Sequence, residues 1–175
     1  IGMAGRYHPQ KDFANLLKAF AIVQETIPEA HLVACGEDVD RRQKALRELA
    51  DVCPYPSQVH LVGARMDMPQ VYPAFTISAL SSCEGEAFPL VLGEAMSCEV
   101  PCVSTDVGDS ALIVGDLGYI VPPRNAEELA AAMTKMLSLP RDEFVALGAA
   151  SRRRVEEKFT LRTYTQAHAR LYRSL

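Results

Sequence analysis

Two glutamates in the stretch EGEAFPLVLGEAM, residues 84–96, have a type and spacing that suit ligand chemistry. Glu86 and Glu94 are separated by small and apolar residues only. A carboxylate accepts hydrogens from two hydroxyl groups at once, which suits a vicinal diol such as that of a ribose. If a helix begins near Pro89, Glu86 precedes the helix and Glu94 lies within its second turn. The two acids would then bind two polyol parts of one elongated ligand.

Two cations near the start of the chain form a second candidate group. Arg6 follows the first predicted strand, and Lys11 immediately precedes a predicted helix. Cations beside a helix N-terminus favour an anion site, since charge-assisted hydrogen bonds add to those of the free backbone N–H groups. Taken singly, however, each of these cations and glutamates also has an ordinary structural explanation. Arg6 and Lys11 could be solvated charges, Glu86 a capping carboxylate and Glu94 part of a solvated helix face.

The commonest nucleotide-binding and metal-binding motifs are missing from the chain. It contains no G-x-G-x-x-G, no G-x-x-x-x-G-K-[ST] and no C-x-x-C, and its four histidines are scattered. The five cysteines are odd in number and mostly lie in apolar segments, which predicts reduced, buried thiols and no disulfide framework or zinc site. A reducing compartment follows, and we expect a cytoplasmic location.

The elements that must position these side chains alternate between short apolar runs and helical patterns. This alternation predicts an α/β domain, with a doubly wound, Rossmann-like parallel sheet of about six strands and helices on both faces. Strands are predicted within 1–7, 30–36, 58–64, 76–82, 100–106 and 118–123. Helices are predicted over 12–27, with Asp12 as its cap, and over 40–51, 67–72 (capped by Asp67), 125–138, 141–157 and 160–174, with another whose first turn contains Pro89. We predict a single domain over 1–175.

In such sheets ligands bind outside the carboxyl ends of the strands, where the strand order reverses. The candidate loops are therefore 6–11, 36–40, 63–67, 82–90 and 105–110.

Composition limits the possible partners. Hydrophobic residues make up 49% of the chain and charged residues 23%, which is typical of a globular domain. The net charge of −4 gives no electrostatic reason to expect nucleic acid or an anionic membrane as the main partner. No apolar run approaches the roughly 20 residues of a membrane-spanning helix. The chain begins within an apparent strand and without Met, so we expect it to be part of a longer protein.

Four motifs together carry a family resemblance. GRYHPQKD, LVGARMDMPQVY, GEAFPLVLGEAM and VPCVSTDVGDSALIV occur in an order and spacing similar to those of the C-terminal, donor-binding half of a retaining glycosyltransferase. The resemblance is to enzymes of the GT-B fold in family four, the glycosyl transferases group 1, and covers essentially the whole chain. The E-x7-E motif of that family matches Glu86 to Glu94, and its G-R-x4-K motif matches Gly5, Arg6 and Lys11.

The resemblance implies a role for each matched residue. Arg6 and Lys11 would bind the diphosphate of the donor. Glu86 would contact hydroxyl groups of the transferred sugar and act as the catalytic carboxylate, and Glu94 would bind the ribose. The loop lining the donor sugar would comprise Ala87, Phe88, Pro89, Leu90 and Val91, and the base would lie near Ala64, Arg65 and Met66.

The resemblance also implies the ligands and the missing parts. The donor would be a nucleotide-diphospho-sugar such as a UDP- or GDP-sugar, with no metal and no cofactor. The N-terminal, acceptor-binding domain is absent from the chain, so this fragment would bind donor without transferring sugar. Peripheral membrane association of the full-length enzyme is compatible with the family. A non-catalytic nucleotide-binding module and a relative such as a nucleotide-sugar epimerase remain alternatives.

Overall fold

Six short strands form one parallel sheet in the computed structural model, which describes residues 1–174. The strands are β1 (Gly2–Ala4), β2 (Leu32–Cys35), β3 (Val59–Leu61), β4 (Ser78–Leu80), β5 (Cys102–Thr105) and β6 (Gly118–Val121). Their order across the sheet is β3-β2-β1-β4-β5-β6, so the direction of winding reverses between β1 and β4. The predicted doubly wound parallel sheet is therefore confirmed.

The helices follow the predicted pattern with a few differences. They are α1 (Phe13–Thr26), α2 (Lys44–Asp51), α3 (Met68–Val71), α4 (Leu90–Ser97), α5 (Ser110–Val114), α6 (Ala126–Leu137), α7 (Arg141–Lys158) and α8 (Leu161–Arg173). α2 begins four residues later than predicted, because Asp40 instead forms an isolated bridge with Val62. α5 was not predicted, since five residues are too few to show helical periodicity.

Two apolar layers cover the two faces of the sheet. Adjacent residues of each strand point to opposite faces. Met3, Ala34, Ala79 and Val103 face a layer that contains residues of α1, α2 and α6. Their neighbours Ala4, Cys35, Leu80 and Cys102 face a second layer that contains residues of α4 and α5 together with Tyr72 and Phe75. Both faces are buried, which explains why most residues of the strands are apolar.

The ends of the helices show which predicted caps form. Asp12 adopts a left-handed conformation with φ 44°, and its carboxylate accepts from the backbone N–H of Asn15 at 3.1 Å, as predicted. Asp67 is the N-cap residue of α3, as predicted, but its carboxylate makes no capping hydrogen bond and accepts from the guanidinium of Arg65 instead. Pro89 is the N-cap residue of α4 and precedes its first turn.

The cysteines are free thiols, as predicted. Cys35, Cys53 and Cys102 are buried, and burial raises the pKa of the Cys102 thiol to about 12. This thiol is therefore protonated at neutral pH and acts as a small apolar core residue.

The last helix differs from the others in its packing. α8 buries none of its residues, and Leu161, Tyr164, Leu171 and Tyr172 remain exposed. No helix in the described part of the chain combines the length and apolar character needed to cross a membrane.

This contrast predicts different costs for two leucine substitutions. Leu16 of α1 is fully buried, so Leu16→Ala is expected to lower the free energy of unfolding by about 2–5 kcal/mol. Leu171 of α8 is 57% exposed, so Leu171→Ala is expected to change it by less than about 0.5 kcal/mol. Urea unfolding followed by circular dichroism measures both values. Equal losses in the two variants would contradict the described core.

Candidate functional site

Two loops meet where the strand order reverses. β1 and β4 are neighbours, and the chain leaves their carboxyl ends in the segments 5–12 and 81–89. A parallel doubly wound sheet opens a crevice at this point, since successive connections lie on opposite faces. The predicted residues Arg6, Lys11 and Glu86 all belong to these two segments. These three residues, which were predicted separately from the sequence, therefore lie at the same edge of the sheet.

The closest contact between the two loops is an ion pair. The Nζ of Lys11 donates to Oε1 of Glu86 at 2.5 Å. The two side chains are only 14% and 10% exposed, so water screens the pair little. The predicted alternatives of a solvated lysine and a capping glutamate are therefore both wrong.

A buried hydroxyl supports the same carboxylate. Ser82 is fully buried, and its Oγ donates to Oε1 of Glu86 at 2.6 Å. Two donors therefore converge on one oxygen of Glu86. Within residues 1–174, no hydrogen bond reaches its other oxygen, Oε2. A carboxylate is an acceptor only, so Oε2 has its full capacity available for a ligand.

Hydrogen bonds between the loops fix the ion pair from both sides. The Oγ of Ser81 donates to the carbonyl of Lys11 at 2.7 Å, and the N–H of Cys83 donates to the carbonyl of Gln10 at 2.8 Å. The hydroxyl of Thr105, at the end of β5, donates to the carbonyl of Ser82 at 2.6 Å. The backbones that carry Lys11 and Glu86 are thus bound directly to each other.

A glycine allows the next loop to approach. Gly108 follows β5 with φ 57°, a conformation that favours glycine, and a Cβ there would lie 2.2 Å from the carbonyl oxygen of Glu86. The N–H of Asp109 donates to the carbonyl of Ala87 at 2.9 Å. The segment 105–110 therefore packs on residues 86 and 87 and determines where that loop lies.

Glu94 is held by a different partner. It lies on α4 with an exposed side chain, and its Oε2 accepts from the hydroxyl of Tyr72 at 2.6 Å. Tyr72 is 2% exposed and packs edge to face against Phe75. Burial and the hydrogen bond to Glu94 raise the pKa of Tyr72 well above its ordinary value. The phenol therefore remains a donor to the glutamate at neutral pH.

The first turn of α4 adds backbone donors beside these acids. A helix leaves its first N–H groups without an intrahelical partner, and the positive end of its dipole favours anions. α4 begins at Leu90, four residues after Glu86 and four before Glu94. Gly93, next to Glu94, has no atom within 4 Å of the position of an added Cβ, so the helix surface there is open.

The remaining predicted residues make few contacts with this cluster. Arg6 is exposed and forms no salt bridge within the described residues. Arg65 forms a two-point pair with Asp67, with Nε to Oδ1 at 2.8 Å, and Met66 is 98% exposed. His8 caps a 3₁₀ turn at Pro9–Lys11 through its Nδ1. Glu84 pairs at the surface with Arg124.

Sequence reasoning missed Ser82 and Tyr72. Ser82 is the last residue of the strand predicted within 76–82 and the first of the candidate loop 82–90, and that position alone could have indicated it. Nothing around Tyr72 distinguishes it from a core aromatic residue. Within residues 1–174, no group of three or more His, Cys, Asp or Glu side chains is placed to hold a metal ion.

Comparisons with known proteins identify a family and relatives for this chain. The family described as glycosyl transferases group 1 matches residues 1–139. An exopolysaccharide phosphotransferase of Streptomyces coelicolor, SCO2592, is 32% identical over 140 residues, which cover 78% of this chain and 15% of that protein. A phosphatidyl-myo-inositol mannosyltransferase of Mycobacterium leprae is 31% identical over 160 residues, covering 87% of this chain and 41% of that protein.

Solved structures share the fold. Anabaena Alr3699/HepE in complex with UDP superposes with a TM-score of 0.88 at 24% identity, covering 99% of this chain and 48% of that one. A sucrose-phosphate synthase from Thermosynechococcus elongatus gives a TM-score of 0.83 at 26% identity, covering 99% and 44%. The likeness confirms the Rossmann-like fold expected for half of a GT-B glycosyltransferase. The chain spans less than half the length of each of these relatives.

The ion pair predicts unequal effects for the two cations. Lys11→Met leaves the nearly buried Glu86 without its counter-charge, so we expect the free energy of unfolding to fall by roughly 3 kcal/mol. Arg6→Met removes an exposed charge and should change it by less than about 0.5 kcal/mol. Urea unfolding measures both. The double variant Lys11→Met/Glu86→Gln is expected to recover part of the loss, and a lack of recovery would contradict the assigned pairing.

The raised pKa of Tyr72 predicts that the stability of the fold depends on pH at alkaline pH. Below pH of about 10 the phenol is protonated in both the folded and the unfolded state, so its contribution to stability is constant. Above that pH it ionises only in the unfolded state, because its pKa is raised in the folded state, and stability falls as pH rises. Between about pH 9 and pH 11, the free energy of unfolding measured with urea should fall by up to roughly 1.4 kcal/mol per pH unit because of this group.

Two tyrosine variants test whether Tyr72 causes this loss of stability at alkaline pH. Tyr72→Phe should reduce the slope of the alkaline loss of stability and leave the part that comes from groups such as the buried Cys102 thiol, whereas Tyr172→Phe, at a residue that is 71% exposed, should keep the wild-type slope. The same slope in Tyr72→Phe as in the wild type would contradict the assignment.

Proposed function

The chain belongs to the glycosyl transferases group 1 family, and from this premise we propose that it is the donor-binding domain of a retaining, family-four glycosyltransferase. The donor is a nucleotide-diphospho-sugar, from which the whole protein transfers a hexosyl group to an acceptor. The observation that carries the proposal is the Lys11–Glu86 pair, nearly buried at the reversal of strand order. It brings an anion-binding cation and a hydroxyl-binding acid to the crevice where such a ligand would lie.

The diphosphate binds to Lys11 and Arg6 in this proposal. The Lys11 ammonium has three donors and uses one on Glu86, so it can bind phosphate oxygens at the same time. Arg6 is exposed and can approach a ligand, and the free N–H groups at the start of α4 favour an anion. These positive groups neutralise the leaving diphosphate, so the reaction proceeds without a metal ion or cofactor.

The transferred sugar lies against Glu86 and the segment Ala87–Val91. The oxygen Oε2 of Glu86 accepts from a sugar hydroxyl, because Oε1 is occupied by Lys11 and Ser82. A carboxylate close to the reacting sugar favours the positive charge that develops as the glycosidic bond breaks. Glu86 is therefore the proposed catalytic carboxylate of this domain.

The nucleoside lies further along the same crevice. Glu94 is exposed beside the open surface of Gly93, so a ribose can approach its carboxylate. The base lies by Ala64–Met66, where the Arg65 side chain, paired with Asp67, offers a planar guanidinium for stacking. UDP and UDP-glucose are the ligands named for Anabaena Alr3699/HepE structures, and a UDP- or GDP-sugar is proposed here.

The acceptor belongs to the part of the protein outside this chain. The matched region covers less than half the length of the relatives. We propose that the full-length protein has an N-terminal acceptor-binding domain, whose packing would bury the exposed apolar side chains of α8. This chain alone therefore binds donor without transferring sugar. We further propose a cytoplasmic enzyme, in keeping with the free thiols, that associates peripherally with a membrane when the acceptor is a lipid.

Calorimetry tests the proposal directly. The chain should bind at least one of UDP, GDP and ADP, with the same affinity in Mg²⁺ and in EDTA. Binding that requires a divalent metal would contradict the metal-independent site. No binding of any of the three at millimolar concentration would contradict the donor-binding function itself.

The two glutamates are expected to separate by ligand. Glu94→Ala should weaken the nucleoside diphosphate and the nucleotide-sugar alike, because both contain the ribose. Glu86→Ala should spare the diphosphate and weaken only the nucleotide-sugar. Each lost hydrogen bond to a charged group corresponds to about 1.5–3 kcal/mol, or roughly tenfold or more in Kd.

Glu84→Ala provides the matched control, since Glu84 lies in the same loop and pairs only at the surface. Both affinities should then stay within about twofold of wild type, because exposed ion pairs contribute little. Equal losses for both ligands in Glu86→Ala and Glu94→Ala would contradict the division of roles between the acids.

A further inference from the structure

Ser82 stands out among the buried serines of the sheet. The hydroxyls of Ser81 and Ser104 donate to backbone carbonyls, at 2.7 Å to Lys11 and at 3.0 Å to Thr105. That of Ser82 instead donates to a carboxylate oxygen of Glu86, at 2.6 Å. Ser82 is fully buried, so this hydroxyl is not available to solvent or to a ligand.

The backbone of Ser82 is itself fixed. Its carbonyl accepts from Thr105 at 2.6 Å, and the N–H of the next residue, Cys83, donates to Gln10 at 2.8 Å. The hydroxyl therefore starts from a rigid position between β1, β4 and β5. A donor on a rigid support restricts the rotamers of the side chain that it binds.

The Lys11 ammonium and the Ser82 hydroxyl bind the same oxygen, but they are not equivalent. Lys11 has a flexible side chain and, in the proposed function, also binds the diphosphate. Ser82 is a neutral donor, and its hydroxyl binds Glu86 without also having to bind the diphosphate. When a diphosphate attracts the ammonium, Ser82 still holds Oε1 of Glu86 in place.

We infer that Ser82 is a positioning residue for the donor sugar: it fixes Glu86 through Oε1 so that Oε2 is presented to a sugar hydroxyl. The inference rests on the proposed function of Glu86. A free glutamate side chain would lose rotamer entropy on binding the sugar, and prior immobilisation by Ser82 avoids much of that loss.

Ligand pairs that differ only in the sugar test the role of Ser82. Calorimetry compares UDP with UDP-glucose and GDP with GDP-mannose for wild type and Ser82→Ala. For the pair that wild type binds, Ser82→Ala should weaken the nucleotide-sugar about tenfold and leave the diphosphate within twofold. A residue that only maintained the fold would weaken both ligands.

Two further variants separate positioning from a general loss of structure. Ser104→Ala deletes an equally buried hydroxyl from the neighbouring strand and should leave both affinities within twofold of wild type. In a Glu86→Ala background, Ser82→Ala should cause no additional loss, because the carboxylate that it positions is gone. Ser82→Cys, which replaces the hydroxyl with a weaker donor on a side chain of the same length, should give an intermediate loss.

Each possible outcome is decisive. An unchanged nucleotide-sugar affinity in Ser82→Ala, an equal loss for both ligands, or a loss that persists without Glu86 would overturn the role of Ser82 while the proposed function stands. If wild type binds none of the four ligands, the proposed UDP- or GDP-sugar donor is wrong and the inference fails with it.

Discussion

The nearly buried ion pair between Lys11 and Glu86 is the interaction on which the site depends. Removing two charges from water is costly, and their mutual attraction offsets the cost only when further hydrogen bonds satisfy them. The fold supplies such bonds from Ser82 and, through the backbone, from Ser81 and Thr105. The pair therefore adds a charged contact between the loops that follow the neighbouring strands β1 and β4.

This arrangement requires loops that approach one another closely. Gly108 has no side chain to collide with the carbonyl of Glu86, and Gly36 similarly allows the chain after β2 to lie against Gly5. A Cβ at Gly36 would lie 2.1 Å from the carbonyl oxygen of Gly5. Glycines thus let the four loops that follow β1, β2, β4 and β5 approach one another closely at one edge of the sheet. Rigid loops in turn keep the acidic side chains at fixed positions, as ligand binding requires.

Much of the fold could be predicted from the sequence, because the periodicity of apolar residues reflects which faces are buried. The six strands and the long helices α1, α6, α7 and α8 gave clear patterns. The short helix α5 gave no such pattern. The carboxylate of Asp67 binds the guanidinium of Arg65 and not the backbone N–H groups of the helix that it precedes. The preference of Asp for capping a helix N-terminus is therefore outweighed there by a charge-assisted hydrogen bond.

The site was predictable in its residue types but not in its contacts. Periodicity indicates that Glu86 and Lys11 lie at the same edge of the sheet, yet it cannot indicate that they touch, because 75 residues separate them in the chain. Contacts of this range depend on the register of β1 against β4 and on loop geometry. Tyr72 illustrates the same limit, since its hydroxyl reaches Glu94 across 22 residues from within a buried layer.

The pairing of Lys11 with Glu86 also lowers the net positive charge that the site presents to an anion. Without a ligand, Glu86 neutralises Lys11, so Arg6 and the start of α4 provide most of the attraction for an anion. In the proposed function, a diphosphate that shares the ammonium would weaken its interaction with Glu86 and so make the carboxylate a stronger acceptor for the sugar. Diphosphate and sugar would then bind cooperatively through one lysine. The Lys11–Glu86 pair would thus link the two ends of the donor.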